Sequence, residues 1–150
     1  MLYPQPVCIH GARIGVPVVC LAVAASSRSK NAKSARVPHP IVFAALNVSR
    51  VLTCESEGQP LRSCLWGRVI TDGQWEGILV DERVVENGGR TNVNGISYVG
   101  NGLDGGNCSV RIDSVTQDDI GTWSCALLAN GSGSIFKGEV NVLTGLLFSV

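Results

Sequence analysis

Between Asn107 and Cys125 the apolar and polar positions alternate with a period of two, stop at a polar corner, and resume. Cys108, Val110 and Ile112 alternate with Ser109, Arg111 and Asp113, and Gly121, Trp123 and Cys125 then share one face. That is the pattern of two half-buried strands. The corner between them, Gln117-Asp118-Asp119-Ile120-Gly121, has carboxylates to bond the local backbone and a glycine to take positive φ. The same period predicts strands at 41–45, 49–55, 62–69, 75–80, 96–99, 122–129 and 136–143. Leu52 and Cys54 face inward on the second of these, Val140 and Val142 on the last, and Cys64, Trp66 and Arg68 share a face on the third. Turn chemistry separates the strands at Gly58-Gln59-Pro60, Asp72-Gly73, Asn87-Gly88-Gly89, residues 100–106 and Asn130-Gly131-Ser132-Gly133. No internal repeat, heptad or long helix interrupts them, so the expected class is all-β.

The corner, present as Asp119-x-Gly121-x-Trp123-x-Cys125, resembles the Asp-x-Gly-x-Tyr-x-Cys pattern of the immunoglobulin superfamily. Cys54 lies 71 positions before Cys125 and Trp66 follows Cys54 by twelve, which is the Cys…Trp…Cys spacing of a variable-like domain. The resemblance covers residues 41–144, about two thirds of the chain. It implies a Greek-key sandwich of two antiparallel sheets with Trp66, Trp123, Leu52, Val110 and Ile112 in its core. It also implies an inter-sheet disulfide, Cys54–Cys125, against Trp66, and pairing of Arg68 with Asp119 beside Gly121 near the bottom of the sandwich. Trp123 departs from the family's Tyr: its indole N–H can donate, but there is no phenolic hydroxyl for the corner bond.

Two further cysteines fall inside the resemblance. Cys64 has the inward parity of Trp66 and Cys108 that of Val110 and Ile112, on strands that the resemblance assigns to opposite sheets. Of the three pairings open to four cysteines, alternation favours Cys64–Cys108 as the second bridge. A double-bridged domain with a Cys just before the core Trp is similar to some invertebrate adhesion and immune-recognition domains. Zinc is the competing use of such cysteines, and no C-x-x-C or Cys–His spacing supports a metal site.

Composition adds a compartment. Six cysteines in 150 residues point to oxidising surroundings. The formal net charge of +0 hides an asymmetry: residues 1–54 carry six Lys or Arg and no acid, whereas residues 55–150 carry six Lys or Arg against twelve Asp or Glu, a balance of −6. An acidic folded part argues against a nucleic-acid partner. Residues 1–25, with an apolar run from Val16 ending in small residues, resemble a cleaved secretory signal; the run is too short for an ordinary membrane span. An organellar transit peptide, or a start site outside the mature product, are the competing readings. Residues 26–40 read as a basic polar linker, with contact to an anionic surface through Arg28, Lys30, Lys33 and Arg36 as its sharper alternative. Residues 145–150 are a short apolar tail. The product is expected to be secreted, or cell-surface if it is part of a longer receptor.

Catalytic chemistry finds no constellation. His10 and His39 both lie before the strands, so no His–Ser–acid or His–Cys set forms within them. Gly100-Asn101-Gly102-Leu103-Asp104-Gly105 matches G-x-G-x-x-G, but a β-alternating segment follows where a dinucleotide site needs a helix, and no cofactor is expected. Glycosylation sequons stand at Asn47, Asn107 and Asn130; Asn130, in a hairpin loop, is the best placed and Asn107, beside a bridging cysteine, the poorest. Binding remains. Opposite Trp66 and Cys125 the expected outward residues are Leu65, Gly67, Val69, Ala126 and Leu128, with Trp75 from the neighbouring strand, and so apolar a face marks a protein contact. The expected function is therefore an extracellular adhesion or recognition module that docks a partner protein, or a copy of itself, through the sheet of strands 62–69, 122–129 and 136–143. The alternative is a secreted immune effector that takes non-self carbohydrate or lipid at its loop tips.

Overall fold

The structure, a computed structural model, describes residues 32–145. The secretory reading of residues 1–25, the start of the linker and residues 146–150 lie outside the described residues. Among the described residues the fold is mostly β. Its strands are β1 (Ala32–Ser34), β2 (Ile41–Ala44), β3 (Arg50–Leu52), β4 (Leu61–Val69), β5 (Trp75–Asp81), β6 (Ile96–Tyr98), β7 (Val110–Ile112), β8 (Gly121–Ala129) and β9 (Ile135–Thr144), with one short helix, α1 (Glu82–Glu86), after β5.

Two sheets result. The larger runs β1-β9-β8-β4-β5, with β2 also pairing with β9, and the smaller runs β3-β7-β6. One buried cluster draws on both: Trp66, Ile78, Trp123 and Leu127 from the larger sheet, and Leu52, Ile96, Val110 and Ile112 from the smaller. Trp66 is fully buried and its indole N–H donates to the Cys108 carbonyl at 3.1 Å, so the largest core side chain leaves no polar atom unsatisfied. Two disulfides join the sheets, Cys54–Cys125 and Cys64–Cys108.

Two stretches differ from their sequence reading. Part of the expected linker is sheet: Ala32–Ser34 pairs in parallel with Ile135–Lys137, and Arg36 bridges to Glu55 by backbone hydrogen bonds of 2.8 and 2.9 Å. A three-residue edge strand gains its stability from the neighbour's open N–H and C=O groups rather than from an apolar face, so Ala-Lys-Ser carries no strand pattern. The other difference is α1. Asp81 caps it, accepting the Val84 N–H at 3.1 Å and the Arg83 guanidinium; these bonds hold its carboxyl below the ordinary range. The cap's contribution is thus present at neutral pH and lost only as pH falls through that lowered value.

The corner before β8 keeps its role by another bond. Asp119 closes a capping box with Thr116, and the Trp123 indole N–H donates to the Asp119 carbonyl at 2.9 Å, four residues back. The glycine-rich stretch 100–106 is a loop with one 3-10 turn at Leu103–Gly105. The Tyr98 hydroxyl anchors it, donating to the Asn107 carbonyl and accepting the Gly102 N–H, and burial raises that phenol's pKa.

Candidate functional site

The outer face of β9-β8-β4-β5 is ordered in rows by its pairing. Leu79, Leu65, Ala126 and Lys137 stand side by side across the four strands, and the next row holds Gly77, Gly67, Ser124 and Glu139. Leu128 beside Ile135 extends the apolar surface on the other side of the first row. Leu65, Ala126 and Leu128 are half-buried, while Val69 and Trp75 are each 60% exposed.

Gly67 departs from the expected exposed set, because it is buried beneath Trp75. A Cβ on Gly67 would stand 2.5–2.7 Å from the indole of Trp75, and one on Gly77 would meet the same ring at 2.5–2.6 Å. The two glycines are cross-strand partners, so their missing side chains form one flat seat on which the indole lies. The ring therefore presents its other face to solvent as an aromatic ledge. Beside it runs a groove of about 500 Å³ floored by Leu65, Gly67, Ser124 and Ala126, with Trp75 on one side and Lys137 and Glu139 on the other.

This arrangement predicts a specific response. Gly67→Val must displace the ring, so quenching of Trp75 fluorescence by acrylamide should rise. The fold should lose less than about 2 kcal/mol, since the displaced group is an exposed side chain and not core. Unchanged quenching would show that the indole does not rest on Gly67.

The edge of β5 is closed to strand addition. Asn92 lays its amide along it, accepting the Leu79 N–H at 3.0 Å and donating to the Gly77 carbonyl at 3.1 Å. Among the described residues, its face and not the middle of its edge is the exposed surface.

Under this sheet, Arg68 and Asp119 meet as an ion pair, with 12% and 4% of their side-chain surfaces exposed. Arg68 also reaches Glu76 through Nε at 2.9 Å and Nη2 at 2.8 Å, and its guanidinium lies 4.8 Å from the Trp123 ring centroid. Glu76 was not foreseen as a partner; its place opposite Arg68 follows from the hairpin register. Of the sequon asparagines, Asn47 and Asn130 are exposed, whereas the Asn107 side chain is engaged, donating to Glu55 at 3.1 Å and accepting the Ser109 N–H at 3.0 Å. Among the described residues, no helix is long and apolar enough to cross a membrane. The chain matches no protein-family model and no curated protein.

Proposed function

We propose that this chain is an extracellular, immunoglobulin-like recognition module of Greek-key, variable-like type, which docks a partner protein through the outer face of β4, β5, β8 and β9. The observation that carries the reading is the exposed Trp75 indole seated on Gly67 and Gly77 beside a groove floored by Leu65, Gly67, Ala126 and a single serine, Ser124. A pre-positioned aromatic ring gives contact area with little loss of side-chain freedom on binding, which is what an interface anchor requires. Val69 pairs with Trp75 across the hairpin, Leu65 and Ala126 line the groove, Leu128 lies one row beyond them, and Lys137 and Glu139 supply a polar rim. A second copy fits this chemistry, since the opposite charges of Lys137 and Glu139 on each copy suit a two-fold pairing. Two disulfides support the extracellular part of the reading.

The loop-tip alternative has a cavity at the β8–β9 hairpin, but Glu82, Glu86 and Asp104 line it, which opposes anionic lipids and acidic glycans.

Leu65→Asp and Leu128→Asp separate docking from folding, because both side chains lie on the outer face. Each is expected to weaken association by roughly 2–4 kcal/mol, a loss of about thirtyfold or more. Sedimentation of the protein alone and an ectodomain interaction screen read this out. Unchanged sedimentation and binding in both variants would remove the sheet face as the docking surface.

A further inference from the structure

The fold separates the three sequons. The Asn107 amide is engaged, and the two residues after it are closed in: Cys108 is bridged and fully buried, and Ser109 is buried. Asn130 is exposed in the β8–β9 hairpin with Gly131 and Ser132, whose hydroxyl accepts the Ser134 N–H at 3.2 Å. Asn47, Val48 and Ser49 are all exposed, in the turn that joins β2 to β3. The Asn47 N–H donates to the Val115 carbonyl at 2.8 Å, the Val48 carbonyl accepts the Val115 N–H at 3.0 Å, and Arg50 Nε donates to the Phe43 carbonyl at 2.9 Å. Only main-chain groups of residues 43–48 hold the turn in this way. Among the described residues the Asn47 amide and the Ser49 hydroxyl are both left open.

A positive φ of 63° accounts for an asparagine at position 47, since Asn enters the left-handed region more readily than most residues. It accounts neither for the hydroxyl two positions on nor for what surrounds the turn. Leu46 and Val48, on either side of Asn47, are exposed, and Phe43 on the strand leading to them is 63% exposed. Ile41 and Leu143, the latter the register partner of Phe43 on β9, are exposed as well. An apolar group of that size marks a surface that something covers. It lies further along β9 than Lys137 and Glu139, which rim the indole groove.

We infer that Asn47 carries an N-linked glycan whose first sugars cover Leu46, Val48 and Phe43. The donor class is an oligosaccharide held on a polyisoprenyl diphosphate. Asn47 Nδ2 bonds to C1 of the first sugar, the bond from C1 to the diphosphate oxygen breaks, one amide proton is released, and the lipid diphosphate leaves. Ser49 supplies the hydroxyl that such an acceptor site requires two residues on. Sugar rings carry C–H groups on their faces, so one side can lie on apolar side chains while the other stays hydrated. The point of attachment decides the occupant: a sugar tethered between Leu46 and Val48 reaches them without a separate association step. This inference rests on the extracellular part of the proposed function, because the transfer takes place on chains that enter the secretory compartment, and it is independent of docking through the sheet face.

The test translates the full chain with microsomes, once as it stands and once behind an added cleavable secretory leader. Protease protection reports entry. Peptide mass mapping after enzymatic deglycosylation, which leaves aspartate at each formerly occupied asparagine, reports the sites. Occupancy of Asn47 is expected on the protected chains. Ser49→Ala should lose that one glycan and keep the turn, since it leaves Asn47 and its positive φ in place, and Ser49→Thr should retain the glycan. The cover is read on the leader-bearing chain secreted from cultured cells: binding of a dye for apolar surfaces should rise in Ser49→Ala and fall back when Phe43→Ser is added. Equal dye binding with and without the glycan overturns the cover and gives the patch to the residues that follow Gly145 or to a second copy. Entry without a glycan at Asn47 overturns the inference and leaves the extracellular reading standing, whereas a glycan found only behind the added leader counts against that reading and not against Asn47 as the acceptor.

Discussion

Replacing Cys54 and Cys125 by alanine is expected to destabilise the fold by about 4 kcal/mol in the chain-entropy account of cross-links. The bridge closes a separation of 71 residues between the smaller sheet's side and β8, so its loss frees a long stretch of the unfolded chain. The second bridge closes 44. Because the entropy of closure grows only with the logarithm of loop length, removing Cys64 and Cys108 should cost nearly as much, the two results differing by less than about 0.5 kcal/mol. Removing both pairs consumes most of the roughly 5–15 kcal/mol by which a domain is normally stable, so the four-alanine chain should be unfolded at ambient temperature. Urea unfolding of the two single-bridge variants under non-reducing conditions measures this. A cost below about 1 kcal/mol for either pair would mean that the sheets are held by packing alone.

Asp119→Ala is the second large effect. It removes the partner of a guanidinium that is 12% exposed, and with it the carboxylate oxygen that accepts the Thr116 N–H at 2.7 Å and its hydroxyl at 3.0 Å. Breaking a buried pair from one side costs about 3–5 kcal/mol, because the remaining charge is left without its partner. Glu76 lessens the penalty for Arg68, though it cannot replace the acceptor at Nη1, which among the described residues meets only Asp119. Arg68→Met with Asp119→Leu should therefore be milder than Asp119→Ala, provided the corner tolerates loss of its capping box. Chemical denaturation of the two variants decides it. Equal stabilities would indicate that the capping box, and not the ion pair, accounts for the cost.

How much of this was legible follows from what each element depends on. β7 and β8 were readable because Val110, Ile112, Trp123 and Cys125 alternate with polar neighbours long enough to define a face. The structure places Cys54 with Cys125, Cys64 with Cys108, and Arg68 with Asp119, and all six residues had inward parity or a corner position in the sequence. β1 left no trace, since Ala32-Lys33-Ser34 at a sheet edge is held by backbone hydrogen bonds to β9 and needs no apolar pattern. α1, at five residues, is too short to show helical periodicity, although Asp81 before it is a capping residue. The indole seat was hidden for a different reason. Gly67 and Gly77 look like two isolated glycines until the turn at Thr71–Gly73 sets the hairpin register; they then stand five positions either side of Asp72, opposite one another. A signal was present there, but it became visible only through pairing.

Two sheets are clamped by sulfur around Trp66, and the proposed docking through the outer face of the larger one depends on that clamp. Peptide mass mapping of the expressed chain under non-reducing conditions tests this most directly. Linked peptides containing Cys54 with Cys125 and Cys64 with Cys108 are predicted; free thiols at positions 54 and 125, or a link between Cys54 and Cys64, would contradict it.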